Sequence, residues 1–401
     1  MAWSPEDSLV IGISSRALFD LDEEDRVFRD EGTEAFIAYQ QVHEDEIIKP
    51  GVAFPLVKEL LGLNERLGTP PKPVIEIVIL SKNHPDCAIR IRRSVEHHGL
   101  RLRRAVFTGG QDLLPHLRAL QVDLFLSKEE AAVTAALEND ISAGLIYGGP
   151  AKPEVLDGTP VLAFDGDAVL FSDQADRIYR QKQLPGFEES ELQNARIPLP
   201  GGPLRRFAQA LEELRAQYPI DAPPFRIALV TSRDFTYCER PMRTLRAWGI
   251  RIDQAFFVSD MSKGVELAAL KPLIFFDDSP KHCEDASAST PTVMVPALET
   301  KITTVLASGQ QQSNRPTQFL QVCKLFLKKT FDEHEPVLRQ WREEHLDEVS
   351  EEAFVAIVEE LERSAKGTPR GRQRRAAGAG NEDVTKLFSF LGNLLKKHTG
   401  Q

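Results

Sequence analysis

The stretch Phe164-Asp165-Gly166-Asp167-Ala168-Val169-Leu170-Phe171 is the one from which we predict the fold of this chain. It follows Pro160-Val161-Leu162-Ala163, an apolar run typical of a buried strand. Side chains alternate along a strand, so the two aspartates share a face while the chain stays extended, and Gly166 permits a tight turn. Two carboxylates this close suit Mg²⁺, which takes oxygen ligands and keeps positions for phosphate. Taken alone, the stretch also fits a surface Asp-Gly turn.

Length and composition point to a globular protein with more than one domain. The chain has 401 residues, and 42% of them are hydrophobic, which is enough for proper cores. The net charge is −11 and the isoelectric point is about 5.5. This balance argues against general nucleic-acid binding, because a nucleic-acid surface is normally basic.

The cysteine pattern and the hydropathy indicate a cytoplasmic protein with no membrane partner. Four scattered cysteines show no CxxC pair and no zinc spacing, which favours free thiols in a reducing compartment: Cys87, Cys238, Cys283 and Cys323. The polar, acidic start of the chain lacks the pattern of a signal peptide. Apolar runs of membrane-spanning length are absent from the sequence.

Short buried strands alternate with helices along the first three quarters of the chain. A strand is predicted at the start of residues 9–19, and further strands are predicted at 74–80, 104–107, 122–126, 143–147 and 160–163. Helices are predicted within 20–48 and at 53–66, 87–98 and 129–138. This alternation predicts an α/β fold, a parallel sheet with helices on both faces.

The same pattern then recurs, which predicts a tandem duplication. Residues 225–278 align with residues 75–128 at a constant offset of 150, without a gap. Identical residues at this offset include Arg90 and Arg240, Arg93 and Arg243, Gly99 and Gly249, Ala105 and Ala255, Phe107 and Phe257, and Phe125 and Phe275. Pro50-Gly51 is likewise matched with Pro200-Gly201. General βα patterning would reproduce the apolar positions but not the arginines and the Pro-Gly pairs.

These observations divide the chain into five parts. We predict a first α/β domain at 8–150, a second at 151–298 with a short insertion at about 173–222, a linker and helical extension at 299–363, a flexible basic linker at 364–382, and a C-terminal amphipathic helix at 383–401.

The second copy carries a polar set at the ends of its strands. The set comprises Asp165, Asp167, Thr231, Ser232, Lys263, Asp277 and Asp278. The carboxyl ends of parallel strands meet in one crevice, so these groups can converge. Each alone fits an ordinary helix cap, solvated side chain or turn, but their placement at successive strand ends suits phosphoryl transfer.

Each member of the set has a role in that chemistry. Asp165 is the candidate nucleophile, and Asp167 is the candidate acid and base. Asp277, with Asp278, completes the Mg²⁺ site. The two hydroxyls, Thr231 and Ser232, and the Lys263 ammonium bind phosphate and offset its charge.

The first copy has lost these groups. Aligned strands place Ser14-Ser15-Arg16 opposite the Asp165-Gly166-Asp167 turn, and every acid and the lysine are replaced. The copy is therefore degenerate, without metal or catalysis. Its residues Ser14, Ser15, Arg16, Lys82, Asn83 and Lys128 form instead a candidate pocket for an anion or a nucleotide effector. The simpler interpretation is a set of ordinary surface bases.

These residues resemble the haloacid dehalogenase superfamily, and more closely the cytosolic 5′-nucleotidase I family. The resemblance covers about residues 8–297 and rests on Ser14–Phe19, Pro50–Pro55, Asn83-His84, Thr108–Gly110, Ala163–Ser172 and Phe275–Asp278. It implies Mg²⁺-dependent hydrolysis of nucleoside 5′-monophosphates, AMP or a deoxynucleotide, through an aspartyl phosphate on Asp165. It also implies a backbone-carbonyl ligand at Asp167 and an ADP-like effector in some members.

Two other functions stay open. One is a phosphatase of other small phosphate esters, and the other is a nucleotide-sensing or scaffold protein that uses the first copy and the C-terminal helices. The helix at 383–397 is expected to pack on the body or on a second subunit, as in a homo-oligomer.

Overall fold

Ten strands form the framework of the described part of the chain. The computed structural model describes residues 8–66, 73–150, 158–175, 178, 187–188 and 191–297. The strands of the first half are β1 Leu9–Ile13, β2 Ile75–Ser81, β3 Arg104–Phe107, β4 Leu124–Ser127 and β5 Ala143–Gly148. Those of the second half are β6 Val161–Phe164, β7 Arg226–Thr231, β8 Gln254–Phe257, β9 Ile274–Asp277 and β10 Thr292–Met294.

Helices connect the strands in both halves. The first half contains α1 Ser15–Leu18, α2 Asp22–Glu31, α3 Thr33–Val42, α4 Phe54–Arg66, α5 Ala88–His97, α6 Leu114–Ala119 and α7 Glu130–Leu137. The second contains α8 Arg205–Arg215, α9 Glu239–Ala247, α10 Lys263–Leu270 and α11 Pro280–Ser287. The strands and helices predicted within the described residues are thus confirmed, and those given definite bounds differ at their ends by at most two residues. The helical region at 20–48 is two helices, separated at Gly32, whose φ is +88°.

The strands lie in one sheet in the order β3-β2-β1-β4-β5-β10-β9-β6-β7-β8. Neighbouring strands are parallel except β5 and β10, which are antiparallel. The parallel sheet predicted for each half is therefore confirmed, and the structure adds an antiparallel joint between the halves, whose relative orientation the sequence left open. Because the joint reverses the strand direction, the carboxyl ends of the two halves point to opposite edges of the sheet.

The core of the sheet is buried on both faces. Every residue of β1, β2, β4, β6 and β9 is buried, as expected for parallel strands covered by helices on each side. The outermost strands, β3 and β8, each have one exposed residue and three half-buried ones. The described helices include none that is long and apolar enough to cross a membrane.

Buried polar contacts recur in the two halves. The Nε of Arg90 donates to the Glu46 carbonyl at 3.1 Å, and the Nε of Arg240 donates to the Ile197 carbonyl at 2.9 Å. The hydroxyl of Ser94 on α5 accepts the N–H of Ile48 at 2.9 Å, and the hydroxyl of Thr244 on α9 accepts the N–H of Leu199 at 2.9 Å. Each hydroxyl also donates to the carbonyl four residues earlier in its own helix.

The recurrence corrects one pairing made from the sequence. The N–H of Gly51 donates to the Leu18 carbonyl at 2.9 Å, and the N–H of Gly202 donates to the Leu170 carbonyl at 2.7 Å. Gly202, and not Gly201, therefore corresponds to Gly51. Both positions need glycine. A Cβ added to Gly51 would lie 2.8 Å from the carbonyl oxygen of Ala17, and a Cβ added to Gly202 would lie 2.1 Å from the carbonyl oxygen of Phe171.

The predicted segments at 299–363, 364–382 and 383–401 lie outside the described residues, as do the expected helices at 317–363 and 383–397. The described residues all belong to one compact unit, Met1–Ala297.

Substituting Gly202 tests the close approach between this segment and the turn after β6. We expect Gly202→Ala to lower the free energy of unfolding by about 3 kcal/mol, because the methyl group displaces two carbonyl oxygens. Gly249→Ala is the control, since an added Cβ there meets nothing within 4 Å and the variant measures the effect of the positive φ of +73° alone, about 1 kcal/mol. Urea unfolding measures both, and equal losses would contradict the close approach.

Candidate active site

The ends of three neighbouring strands bring the predicted residues of the second half together. Asp165 follows β6, while Thr231 and Asp277 are the last residues of β7 and β9. The N–H of Asp165 donates to the Phe276 carbonyl at 2.8 Å, which fixes the start of the turn beside β9. The candidate residues therefore lie at one edge of the sheet, at the carboxyl ends of paired strands.

Lys263 lies between two of these carboxylates. It is the first residue of α10, which Ser262 caps by accepting the Gly264 N–H at 3.2 Å. Its ammonium is 2.7 Å from Asp165 Oδ1 and 2.7 Å from Asp277 Oδ2. All three side chains are buried, so the charges are stabilised by one another rather than by water.

Burial and mutual attraction shift the pKa values of this group. Burial raises the pKa of Asp165 to about 7, with Lys263 opposing the shift and Asp277 adding to it. Burial also acts to raise the pKa of Asp277, but the His282 hydrogen bond and the Lys263 charge hold it below its usual value. The two carboxylates outweigh the effect of burial on Lys263 and raise its pKa. Lys263 is therefore charged.

The carboxylates of Asp165, Asp277 and Asp278 could hold a divalent cation. Each offers one oxygen, and these oxygens lie within 4.8 Å of one another. Hard oxygen ligands on rigid strand ends suit Mg²⁺, which prefers carboxylates and retains positions for substrate oxygens. Three carboxylates and one ammonium leave the cluster with a net negative charge, so the donor set fits a cation.

The Asp167 carboxylate is directed elsewhere. Both of its oxygens accept from Arg233, from Nε at 2.6 Å and from Nη2 at 2.8 Å. Asp167 lies in the turn Gly166–Leu170, where its own backbone is extended and Ala168 has a φ of +57°. A left-handed alanine costs about 1 kcal/mol or more, so the surrounding structure must enforce this turn.

Arg233 and Glu191 are functional candidates that the sequence analysis did not select. Arg233 is buried and also bonds Glu191, which in turn accepts from Arg240 at 2.8 Å. The position of Arg233, two residues after Thr231, was the available signal. Glu191 had none, because it lies within the insertion at 173–222, far in sequence from the strand ends.

The two predicted hydroxyls have different surroundings. Thr231 is buried, and its Oγ1 accepts the Arg233 N–H at 3.3 Å and lies 3.4 Å from the position that a Cβ on Gly166 would take. Thr231 therefore borders the turn that carries both aspartates. Ser232 is exposed.

In the first half, hydroxyls stand at the corresponding strand ends. Ile13 pairs with Ile79 and Leu126, as Phe164 pairs with Leu229 and Phe276, so Ser14 and Asp165 follow matching positions. Ser15 and Ser81 share a buried hydrogen bond of 2.8 Å, and the Asn83 amide donates to Ser15 at 3.3 Å. Ser14 caps α1.

The three bases of this candidate pocket are each paired with an acid. Arg16 is 2.8 Å from Asp25 and 3.7 Å from Asp22. Lys82 is 2.8 Å from Glu129, and Lys128 is 3.6 Å from Asp22. The positive charge expected here is therefore offset by neighbouring carboxylates.

Comparison with known proteins places these features in a family. The sequence model of the family described as 5′-nucleotidase matches residues 1–301. Human cytosolic 5′-nucleotidase 1B (Homo sapiens) is 33% identical over 290 residues, which is 70% of this chain and 48% of that protein. The chain thus spans about half the length of this curated relative. No solved structure gives a significant match.

Removing the Lys263 ammonium tests the charge balance of the site. We expect Lys263→Met to lower the free energy of unfolding by about 3–5 kcal/mol in chelator, because two buried carboxylates then lose their cation. Adding Asp277→Asn to this variant is expected to recover part of the loss. Lys281→Met, on the exposed side of α11, is the control. Urea unfolding measures all three, and a loss below 1 kcal/mol would contradict the role of Lys263.

Proposed function

The chain belongs to the 5′-nucleotidase family, and on this premise we propose that it is a Mg²⁺-dependent 5′-nucleotidase that hydrolyses nucleoside 5′-monophosphates to nucleoside and phosphate. The observation that carries the proposal is the buried Lys263 ammonium between Asp165 and Asp277, with Asp278 beside them. AMP and deoxynucleotides are the substrates that we favour.

The reaction that these residues support has two steps. An Asp165 oxygen attacks phosphorus and the bond from phosphorus to O5′ breaks, while Asp167 gives its proton to O5′. Asp167 then takes a proton from water, whose oxygen attacks phosphorus and releases Asp165 and inorganic phosphate. The bound Mg²⁺, held by Asp165, Asp277 and Asp278, would supply charge neutralisation for the phosphoryl oxygens. A Mg²⁺ contact from the Asp167 backbone carbonyl belongs to the same proposal.

Lys263 and the hydroxyls orient the phosphate in this scheme. Lys263 already contacts the nucleophile at 2.7 Å, so its charge stabilises the carboxylate in the orientation needed for attack. Thr231 is fixed beside the turn, which suits a hydrogen bond to a phosphoryl oxygen. Ser232 would contribute a second hydroxyl from the exposed side.

An exposed aromatic ring favours a nucleotide over other small phosphate esters. Phe235 follows β7 by four residues and is 71% exposed. Its ring meets that of Phe257, the last residue of β8, at 6.1 Å and 72°. Both belong to the same sheet edge as Asp165, and a ring exposed there offers a stacking surface to a base.

The tandem duplication also belongs to the proposal. The strand order 3-2-1-4-5 is found in each half, counted within that half, and the paired contacts of Arg90 and Arg240 support a common origin. We place the domains at 8–150 and 151–298, with catalysis in the second. An effector pocket in the first half stays a prediction, and its anion would compete with Asp22, Asp25 and Glu129 for the cations.

We also propose a cytosolic location, from the name of the human relative and from the thiol pattern. Among the described residues, Cys87, Cys238 and Cys283 are free.

Replacing the proposed nucleophile tests the reaction. We expect the full chain to release phosphate from AMP with Mg²⁺, and chelator to abolish this. Asp165→Asn is expected to lower kcat more than about 1,000-fold, because a carboxamide cannot form the acyl phosphate. Glu284→Gln, an exposed acid on α11, is the matched control with unchanged activity. An active Asp165→Asn variant would refute the mechanism.

Truncating the exposed ring tests base recognition. We expect Phe235→Ala to raise KM for AMP about 3- to 10-fold with little change in kcat, because the variant loses one stacking contact with the base. The rate with glycerol 3-phosphate, which has no base, is expected to stay the same. Phe28→Ala is the matched control, because Phe28 is also exposed and meets another ring, Phe36, at 6.0 Å. An unchanged KM for AMP would exclude the contact.

A further inference from the structure

We propose that Arg233 is a positioning residue that orients the Asp167 carboxylate toward the leaving oxygen, and that Glu191 holds Arg233 for this purpose. The inference rests on the proposed function, because it concerns the acid and base of that reaction. It adds a determinant that lies outside the strand-end carboxylates, Lys263 and the hydroxyls.

The contact between Arg233 and Asp167 fixes the plane of the Asp167 carboxylate as well as its distance from the guanidinium. Two parallel hydrogen bonds, of 2.6 and 2.8 Å, join Nε and Nη2 of Arg233 to the two oxygens of Asp167. A guanidinium fork that binds a carboxylate in this way sets its direction as well as its position. The side chain of Asp167 keeps 15% of its surface exposed, and each carboxylate oxygen has a second lone pair that the contact with Arg233 does not use.

Arg233 is itself held from several directions. Its Nη1 donates to Glu191, and its guanidinium carbon lies 5.4 Å from the centre of the Phe187 ring. Its own N–H donates to Thr231 at 3.3 Å. The side chain is 3% exposed, and its neighbouring acids raise its pKa against the effect of burial, so it is a permanent buried cation.

Glu191 connects this cation to the segment between β6 and β7. Its other oxygen accepts from Arg240 at 2.8 Å, and Arg240 is anchored to the Ile197 carbonyl at 2.9 Å. In the carboxylate form that Asp167 has after giving up its proton, the four residues Asp167, Arg233, Glu191 and Arg240 alternate in sign and sum to zero charge. A neutral buried row of this kind keeps a strong preference for one arrangement, because moving one member leaves another charge unpaired.

A comparison with the first half shows which contacts of this row occur in both halves and which occur only in the second. Arg90 occupies the position of Arg240 and bonds the buried acid Glu24, so an arginine on a buried acid is present in both halves. At the offset of 150, Asn83 replaces Arg233, and Arg16 stands at the position that matches Asp167. The half without the acid therefore also lacks the arginine that would orient it.

The test compares two leaving groups on one nucleoside. AMP releases an alkoxide, which needs a proton from Asp167, whereas its analogue with sulfur in place of O5′ releases a thiolate, which does not. We expect Arg233→Gln to lower kcat/KM about 30- to 100-fold for AMP, within the range of general acid catalysis, and less than 3-fold for the sulfur analogue. Equal losses on the two substrates would overturn the proposal, since a general structural defect or a lost phosphate contact affects both.

Two further variants keep the test decisive. Glu191→Gln leaves both members of the Arg233–Asp167 pair in place, and we expect the same selective loss for AMP at a smaller size. If Arg233→Gln does not fold, Glu191→Gln and Arg233→Lys carry the test, and the lysine is expected to stay impaired because it cannot form the paired contact. Arg90→Gln is the matched control for a buried arginine, and any loss it causes should be equal for both substrates.

A double variant separates this proposal from the proposed function. In an Asp167→Asn background, adding Arg233→Gln should leave kcat/KM for AMP unchanged, because Arg233 acts through the group already removed. A further loss of 10-fold or more would show an independent role and overturn the inference. If the wild-type chain hydrolyses neither substrate, it is the proposed nucleotidase activity that fails.

Discussion

The buried ammonium of Lys263 between Asp165 and Asp277 is the interaction on which the second half depends. Three charges out of water are tolerable only when they neutralise one another at short range, and both contacts here are 2.7 Å. This requirement ties the ends of β6 and β9 to the start of α10. The remaining negative charge, increased by Asp278, is what makes the same cluster receptive to a cation. One arrangement therefore stabilises the strand ends and provides the cation-binding cluster that we propose.

The first half has a similar framework without the charged residues Asp165, Lys263 and Asp277. Ser127 Oγ accepts the N–H of Glu129 at 3.0 Å, as Asp277 Oδ1 accepts that of Ser279 at 2.8 Å. Ser81 likewise bonds the N–H of Asn83 at 3.1 Å, as Thr231 bonds that of Arg233. The same turn-forming hydrogen bonds thus occur in both halves, whereas the residue at the offset of 150 from Lys263 is Leu113. A hydroxyl is thus sufficient for these turn hydrogen bonds, and the carboxylate of Asp277 adds an ion pair with Lys263.

The sequence predicted most of the framework because its signals are local or periodic. Buried strands, helix spacing and the positions of Asp165, Lys263 and Asp277 at one edge all follow from pattern and from parallel topology. The antiparallel joint of β5 and β10 could not be predicted, because two short apolar strands give no signal of direction. The match of Gly51 to Gly202 was missed by one residue, since the determinant is the approach of two backbones rather than a Pro-Gly pair. Glu191 was missed because long-range ion pairs between distant segments have no sequence period.

The antiparallel pairing of β5 with β10 places the strand ends of the two halves at opposite edges of the sheet. Strand ends that share an edge can share a ligand, whereas those of β1–β5 and β6–β10 face opposite edges. The hydrogen-bonded cluster of Ser15, Ser81 and Asn83 therefore lies at the opposite edge of the sheet from the carboxylate cluster. Any influence of the first half on the second must pass through the shared sheet or through the segments that flank it. Glu191, which lies in such a segment and bonds Arg233, shows that a segment outside the sheet can contact the residue that is paired with Asp167.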